Sequence, residues 1–407
     1  LIMFLEVLLF IFLGIAFGIV TGLIPGLHPN TIFTLIFSLA FLFTGLPVQL
    51  ILAFVVSLAV SNTFFDFIPT ILFGAPEEDS VLSVLPGHKL LLKGRGYEAI
   101  FLVTMGGLGV MLLTVFSLPA LFFFLPLIYT TIKPVIHIIL LSVVAWMVYT
   151  ERKPLHALSV FILAGIFGLL TLNSFPSEEV MFPALTGLFG MSTVLVSVMT
   201  RVKIPPQKIQ KEVQGDWLKG SVTGWLAGLL AGLLPGIGSS QAGIIASQFL
   251  RAKLREFLIA LGGINTSNIF FTFIVFYVIG KTRSGAVWMI SQIIDYFTLA
   301  DVYFLIVVGI LTSLISGLLT IKASKFLLNR MRNINYTRMM SFIFLGLITL
   351  VFIFSGLIGL LVSITGMFLG LLAISIGIKR THLMGFLLLP TIAYFSGLNP
   401  LFFGILW

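Results

Sequence analysis

The sequence predicts an all-α integral membrane protein with two inverted structural repeats, broken helices and re-entrant hairpins. Three observations carry that expectation. Of 407 residues, 59% are hydrophobic and 9% are charged, whereas a soluble domain carries about 25% charged residues. Apolar runs of roughly 18–25 residues recur along the chain, each long enough to cross a hydrocarbon core of about 30 Å. The third observation is internal repetition. Gly14, Gly18, Gly22, Pro25 and Gly26 reappear as Gly224, Gly228, Gly232, Pro235 and Gly236, every one displaced by 210. The block SNTFFDFIPTILFG (61–74) reappears as SNIFFTFIVFYVIG (267–280), displaced by 206.

Helices are the expected spanning element, because backbone groups in lipid must be satisfied within the chain. A membrane barrel would show short alternating strands, and the sequence has none. Candidate segments fall near 2–24, 31–45, 47–67, 98–125, 131–150, 155–173, 181–200, 217–234, 239–250, 256–279, 284–294, 302–321, 337–354, 357–378 and 384–406. Those at 31–45, 239–250 and 284–294 are short, as parts of re-entrant hairpins would be, so roughly 10–14 membrane segments are expected. Leu1–Leu23 lacks the basic flank and cleavage site of a signal peptide and reads as the first membrane segment. Without cysteine, disulfides, thiolate metal sites and cysteine nucleophiles are excluded.

The net charge of +9 points to basic cytoplasmic loops rather than to nucleic acid. Basic residues gather at 89–95, 152–153, 201–219, 251–255, 322–338 and 379–380, which together hold 20 of the 23 Lys and Arg. All six clusters can be placed on one side with a consistent number of crossings between them. Both termini then lie outside the cytoplasm of a multi-pass cell-membrane protein. The polar stretch Arg201–Lys219, with Pro205-Pro206, reads as a linker. The expected organisation is a first repeat at 1–200, a linker at 201–216 and a second repeat at 217–407. Each repeat crosses an odd number of times, so the two are inverted, an architecture of secondary transporters.

Candidate chemistry follows the repeats. The Gly-x3-Gly-x3-Gly spacing lines one helix face and suits close helix packing. Pro25-Gly26 and Pro235-Gly236 each stop a helix. His28, Asn30 and Thr31 follow one break, and Ser239, Ser240 and Gln241 follow the other. A helix restarting there turns free N–H groups and its positive end toward the break, which suits an anion; an exposed loop is the plainer reading. Ser61, Asn62 and Thr63, with Asn265, Thr266, Ser267 and Asn268, are polar groups inside apolar runs. Either they bind substrate oxygens or a coupling Na⁺ or H⁺, or they bond helix to helix. Ser61, Asn62, Thr63 and Asp66 form the candidate cation-coupling set. Asn265, Ser267 and Asn268 join the break residues as candidate substrate ligands. Asp66 is an intramembrane acid and thus a functional candidate; its counterpart is Thr272. Arg283 corresponds to Glu77 and lies near Lys281. Arg283 suits an anionic substrate, or else an internal salt bridge. His137, His156 and His382 read as interfacial or packing residues. No cofactor is expected, and no phosphate loop follows Pro-Gly-Ile-Gly.

At Gly22-Leu23-Ile24-Pro25-Gly26-Leu27-His28-Pro29, Phe73-Gly74-Ala75-Pro76 and Leu90-Leu91-Leu92-Lys93-Gly94-Arg95-Gly96, the chain resembles the TctA family, the large membrane subunit of tripartite tricarboxylate transporters. The resemblance covers most of the chain. It implies cation-coupled uptake of a carboxylate, with a small membrane subunit and an extracellular binding protein as partners; a homodimer is a further expectation. The alternative is a polyprenyl-phosphate translocase, since such carriers also use Pro-Gly breaks beside small hydroxyl residues. A membrane enzyme would need a catalytic constellation, and none is seen.

Overall fold

The computed structural model describes residues 2–24, 33, 46–74, 80–199, 205–210, 213–234, 238–250, 253–294, 296–331 and 336–398. Among them, eight helices are long and apolar enough to cross a membrane, and no strand occurs. The chain is an all-α, multi-spanning membrane protein. It folds into two compact units, one from 1–126 and 202–339, the other from 127–201 and 340–407.

In the first unit, chain order gives α1 (Ile2–Leu23), α2 (Val48–Phe65), α3 (Phe67–Phe73), α4 (Val84–Leu91) and α5 (Gly96–Ile132). The second unit begins within α5 and adds α6 (Ile136–Tyr149), α7 (Pro154–Ser174), α8 (Ser177–Leu185) and α9 (Ser192–Met199). The chain then returns to the first unit with α10 (Trp217–Leu233), α11 (Ser239–Phe249), α12 (Leu254–Ile279), α13 (Gly285–Ile293) and α14 (Leu299–Met331). It ends in the second unit with α15 (Tyr336–Ile376) and α16 (Gly385–Phe395).

The repeated blocks become repeated elements. The α2–α3 pair runs from 48 to 73 and α12 from 254 to 279, both ends displaced by 206. Each stops at a left-handed glycine, Gly74 (φ 67°) and Gly280 (φ 71°), because a side chain there would meet the following carbonyl. They differ in the middle. Pro69 has no N–H for the carbonyl of Phe65 and its ring crowds that oxygen. The first copy is accordingly interrupted at Asp66, whereas Val275 keeps α12 continuous.

These two are the innermost spans, each 89% buried over its most apolar window. Their polar faces are seated by the glycine helices. Gly14, Gly18 and Gly22 of α1 lie against Ser57, Ser61 and Phe65. In the second copy Gly224, Gly228 and Gly232 of α10 lie against Gly263, Ser267 and Phe271. Every pair keeps its displacements of 210 and 206. Glycine lets these backbones approach within reach of van der Waals contact and side-chain hydrogen bonds.

The second unit is built by exchange. Gly168 of α7 abuts the carbonyl of Phe386 in α16, and Gly370 of α15 abuts the carbonyl of Leu188. Gly385 abuts the carbonyl of Phe161, and Gly187 abuts that of Ser363. One sequence half thus grips the other twice, in reciprocal fashion. Thr186–Met191, between α8 and α9, is a π-helical turn.

The segment at 31–45 lies outside the described residues except Phe33. The segments at 239–250 and 284–294 are helices of 11 and 9 residues, too short to cross about 30 Å at 1.5 Å per residue. The segments at 337–354 and 357–378 are two helical stretches within α15, separated by the non-helical kink at Gly356 (φ 59°, ψ −153°), a conformation open to glycine.

Substituting Gly18 or Gly228 with Val should destabilise the protein by about 1–3 kcal/mol or more through overpacking against Ser61 or Ser267. Gly346, with open space around its Cα, is the control. Thermal unfolding in detergent should show lower midpoints for the first two variants and no loss for Gly346→Ala.

Candidate functional site

The polar faces of α2 and α12 meet inside the first unit. Thr63 and Thr266 share a hydrogen bond of 3.2 Å between hydroxyls. The Asn265 amide donates to Asp66 Oδ2 at 2.9 Å. Asp66 is 2% exposed and Asn265 1%, so a carboxylate is held at the interruption of a membrane helix by a side chain 199 residues away. Thr70, one turn on, donates to the Asp66 carbonyl at 2.7 Å and shares a 2.9 Å bond with Ser80. Thr70 thus bonds back to the carbonyl four residues before it, a local side-chain bond that accompanies bent helices.

The two copies of the Ser-Asn pair have diverged. Asn62 donates to Thr21 of α1 at 3.1 Å, and Ser61 donates to the Ile15 carbonyl at 3.2 Å. Both face the glycine helix. Ser267 likewise contacts the Gly224 carbonyl at 3.4 Å. Asn268 instead reaches the hydroxyl of Ser239 at 3.4 Å, the first residue of α11. Asn62 and Asn268 therefore differ in role: one fastens helices, and the other touches the start of the short helix.

Gly238 N–H donates to Gln241 Oε1 at 2.9 Å, which caps α11 from its own first turn. Ser239, Ser240 and Gln241 are each 2% exposed or less. Across the same junction Thr272, the counterpart of Asp66, accepts from Ser284 at 3.4 Å. Arg283 is half-buried in the link from α12 to α13, adjacent to that contact. Pro25, Gly26, His28, Asn30, Thr31, Pro235 and Gly236 lie outside the described residues, as do Glu77, Glu78 and Asp79.

The basic clusters converge within each unit. Arg95 and Arg255 both bind Glu98, Gln207 bonds the Gly96 N–H at 2.9 Å, and Lys325 lies 5.4 Å over the Tyr97 ring. In the second unit Lys153 donates to the Ile376 carbonyl at 2.8 Å, and Lys379 lies 3.7 Å from Glu151.

Two groups here escaped the reading of the sequence. Glu98 was hidden among the cations of its own loop. Arg380 was grouped with the solvent-facing basic residues, yet it is 6% exposed. Its guanidinium donates to the carbonyls of Leu188 and Phe189, both at 2.7 Å, to Ser192 Oγ at 2.6 Å and to Thr193 Oγ1. A π turn leaves carbonyls without their α-helical donors, and Arg380 supplies those donors. Burial pushes its pKa down to about 10, so it stays cationic at neutral pH. His382, read as a packing residue, is buried and lies 3.4 Å from Glu151.

The profile of the "Tripartite tricarboxylate transporter TctA family" matches residues 8–385. The chain belongs to the TctA family. The resemblance read from Gly22–Pro29 and the later motifs is thus borne out. An uncharacterized protein of Methanocaldococcus jannaschii is 32% identical over 354 residues, which cover 84% of this chain and 88% of that one. No solved structure matches the chain. TctA proteins are membrane transporters and not enzymes.

The Glu151–His382 pair of this TctA chain should make it acid-labile. Burial holds the His382 pKa below its ordinary 6.5, against the pull of Glu151. Burial raises that of Glu151, but the Arg152 N–H, Lys379 and His382 outweigh it and hold it below 4.5. In both windows the unfolded chain binds more protons, so stability falls with falling pH. The decline begins near pH 6.5 through His382 and continues below pH 4.5 through Glu151. Thermal midpoints in detergent should show it, and His382→Gln should remove the first part.

Proposed function

We propose that this chain is a secondary active transporter of a small organic anion of the carboxylate class, coupled to a cation, H⁺ or Na⁺, and working by alternating access. Family membership supports transport and an anionic substrate. The observation that carries the site is the junction of Asp66, Thr63, Asn265 and Thr266, continued through Asn268 to the start of α11. Polar groups at membrane depth are costly unless they are satisfied. Here residues from both copies of one motif satisfy each other, which suits a site shared between two inverted repeats at 1–200 and 217–407.

On this reading the substrate carboxylate meets the N-terminal end of α11, with Ser239, Ser240, Gln241, Asn268 and the residues at Pro235-Gly236 around it. Arg283 adds a positive charge nearby. Pro25, Gly26, His28, Asn30 and Thr31 complete the site from the first copy. Asp66 is the acid that responds to the coupling cation, with Ser61, Asn62 and Thr63 on the same helix. A binding protein and a small membrane subunit are the partners that the family suggests. The basic clusters face the cytoplasm by the positive-inside rule, and both termini face the other side.

Uptake by purified protein in liposomes tests this. Asp66→Asn and Asn268→Leu should each lower uptake of a carboxylate such as citrate by at least about tenfold, a loss of roughly 1.4 kcal/mol. Asn62→Leu should lower the melting temperature first, since its amide fastens α1. Arg283→Gln should weaken substrate binding more than it weakens stability. Stabilisation of the protein by polyprenyl phosphate and not by citrate would overturn the carboxylate reading in favour of lipid phosphate.

A further inference from the structure

Helix α5 begins at Gly96 and α14 at Leu299, a displacement of 203. The same displacement carries Phe101-Leu102 onto Phe304-Leu305 and Gly106 onto Gly309. The third residue of each helix is an acid, Glu98 in α5 and Asp301 in α14. Their surroundings differ. Glu98 is 0% exposed. Arg95 holds it through Nε–H to Oε2 at 2.5 Å and Nη2–H to Oε1 at 2.6 Å. Arg255, from the first turn of α12, holds it through Nε–H to Oε1 at 2.8 Å. Gln210 of the central linker faces the same carboxylate, its amide nitrogen assigned 2.7 Å from Oε2. Asp301 instead caps its own helix, accepting from the N–H and hydroxyl of Thr298 at 2.9 and 2.6 Å.

The counterpart of Arg255, at a displacement of 206, is Gln49 in the first turn of α2. Gln49 is exposed. α2 and α14 do pack together, through the 2.8 Å bond between Ser57 and Thr312. One copy therefore joins the starts of two helices by an ion cluster around a buried carboxylate, its arginines 30% and 34% exposed. The other has the acid but a neutral amide where the arginine would be.

We propose that Arg95–Glu98–Arg255 is a gate latch of the transport cycle. It holds the starts of α5 and α12 together at the basic end, and its counterpart at Asp301 and Gln49 lacks the cation that would close it. The inference rests on the alternating-access reading above. A buried carboxylate between two guanidinium groups is stable when all three are present and strongly unfavourable when a partner leaves. Opening must therefore carry the cluster into water as a set, which makes it a two-state element rather than a graded one. Because the other end has no such cluster among the described residues, the resting protein favours the state closed at the basic end.

The chain has no cysteine, so one introduced thiol reports access without background. The reporter is Thr266→Cys, at a position 1% exposed beside Thr63. A membrane-impermeant maleimide is applied to vesicles of each orientation. Glu98→Gln and Arg255→Gln should each raise the labelling rate from the basic side by about tenfold, within the usual range of a coupling between two states. Arg255→Lys should keep most of the wild-type protection. Gln49→Arg, which leaves Glu98 and its partners intact, should slow labelling from the opposite side. If both Gln variants label as slowly as the parent, or the parent already labels as fast from the basic side, the latch is wrong. Uptake by the parent protein tests the transporter reading separately, so loss of one idea is distinguishable from loss of the other.

Discussion

In hydrocarbon, a polar side chain or interrupted backbone must find its partner inside the protein, because no water stands in for one. Much of the first unit answers that constraint. α2 with α3, and α12, carry hydroxyls, amides and Asp66 along spans that are almost wholly buried. Such faces need either polar neighbours or a backbone close enough to serve as one. Gly18 and Gly228 meet the need by letting α1 and α10 approach until Ser61 and Ser267 reach carbonyls of those helices. Larger residues would hold the carbonyls out of reach. The glycines are thus a condition for Ser61 and Ser267 to bond across to those helices.

The same constraint explains where the two copies part company. Pro69 interrupts the first copy at Asp66, whose carbonyl is bonded by Thr70 and whose carboxylate is bonded by Asn265. The second copy has Val275 there and stays straight, with Thr272 in place of the acid. In the second unit a π turn frees carbonyls, and a charged residue from the other sequence half, Arg380, closes them. In both cases a side chain from the other sequence half binds at the irregular stretch. That is how irregular backbone survives at membrane depth when it is shielded by protein.

Much of this was legible in the sequence. The displacements of 210 and 206 located the helices that repeat and the glycines that face them, since small residues at helical spacing have few other uses in apolar runs. Helix existence was clear from length and hydropathy, while exact ends and the conformation of bends were not. The break within α15 at Gly356 was placed by the sequence between 354 and 357, but its left-handed backbone conformation is one to which periodicity is blind. Glu98 and Arg380 were obscured for a common reason. Each sits beside basic residues in sequence, and burial of a charge depends on partners distant in sequence, such as Arg255 for one and Leu188 for the other. The divergence of Asn62 from Asn268 was equally hidden, because it turns on Thr21 having no hydroxyl counterpart at Ala231.

The bond between Asn265 and Asp66 bears on how a coupling cation acts under the proposed function. A ligand shifts an equilibrium between two conformations only by its difference in affinity for them. An ionised Asp66 accepts from Asn265; a protonated or cation-bound Asp66 competes for the same oxygen. Binding at the acid thus changes what Asn265 can hold, and Asn265 lies three residues from Asn268, which touches the start of α11. On a helix, residues three apart share a face. Under the proposed function, a change at Asp66 would then be felt along one face of α12 at the start of α11. Linkage makes the effect reciprocal: substrate at Ser239 must alter the affinity of Asp66 for its cation by the same factor. Coupling of that kind needs the acid in one copy and the amide in the other, and the divergence of Asp66 and Thr272 supplies that difference.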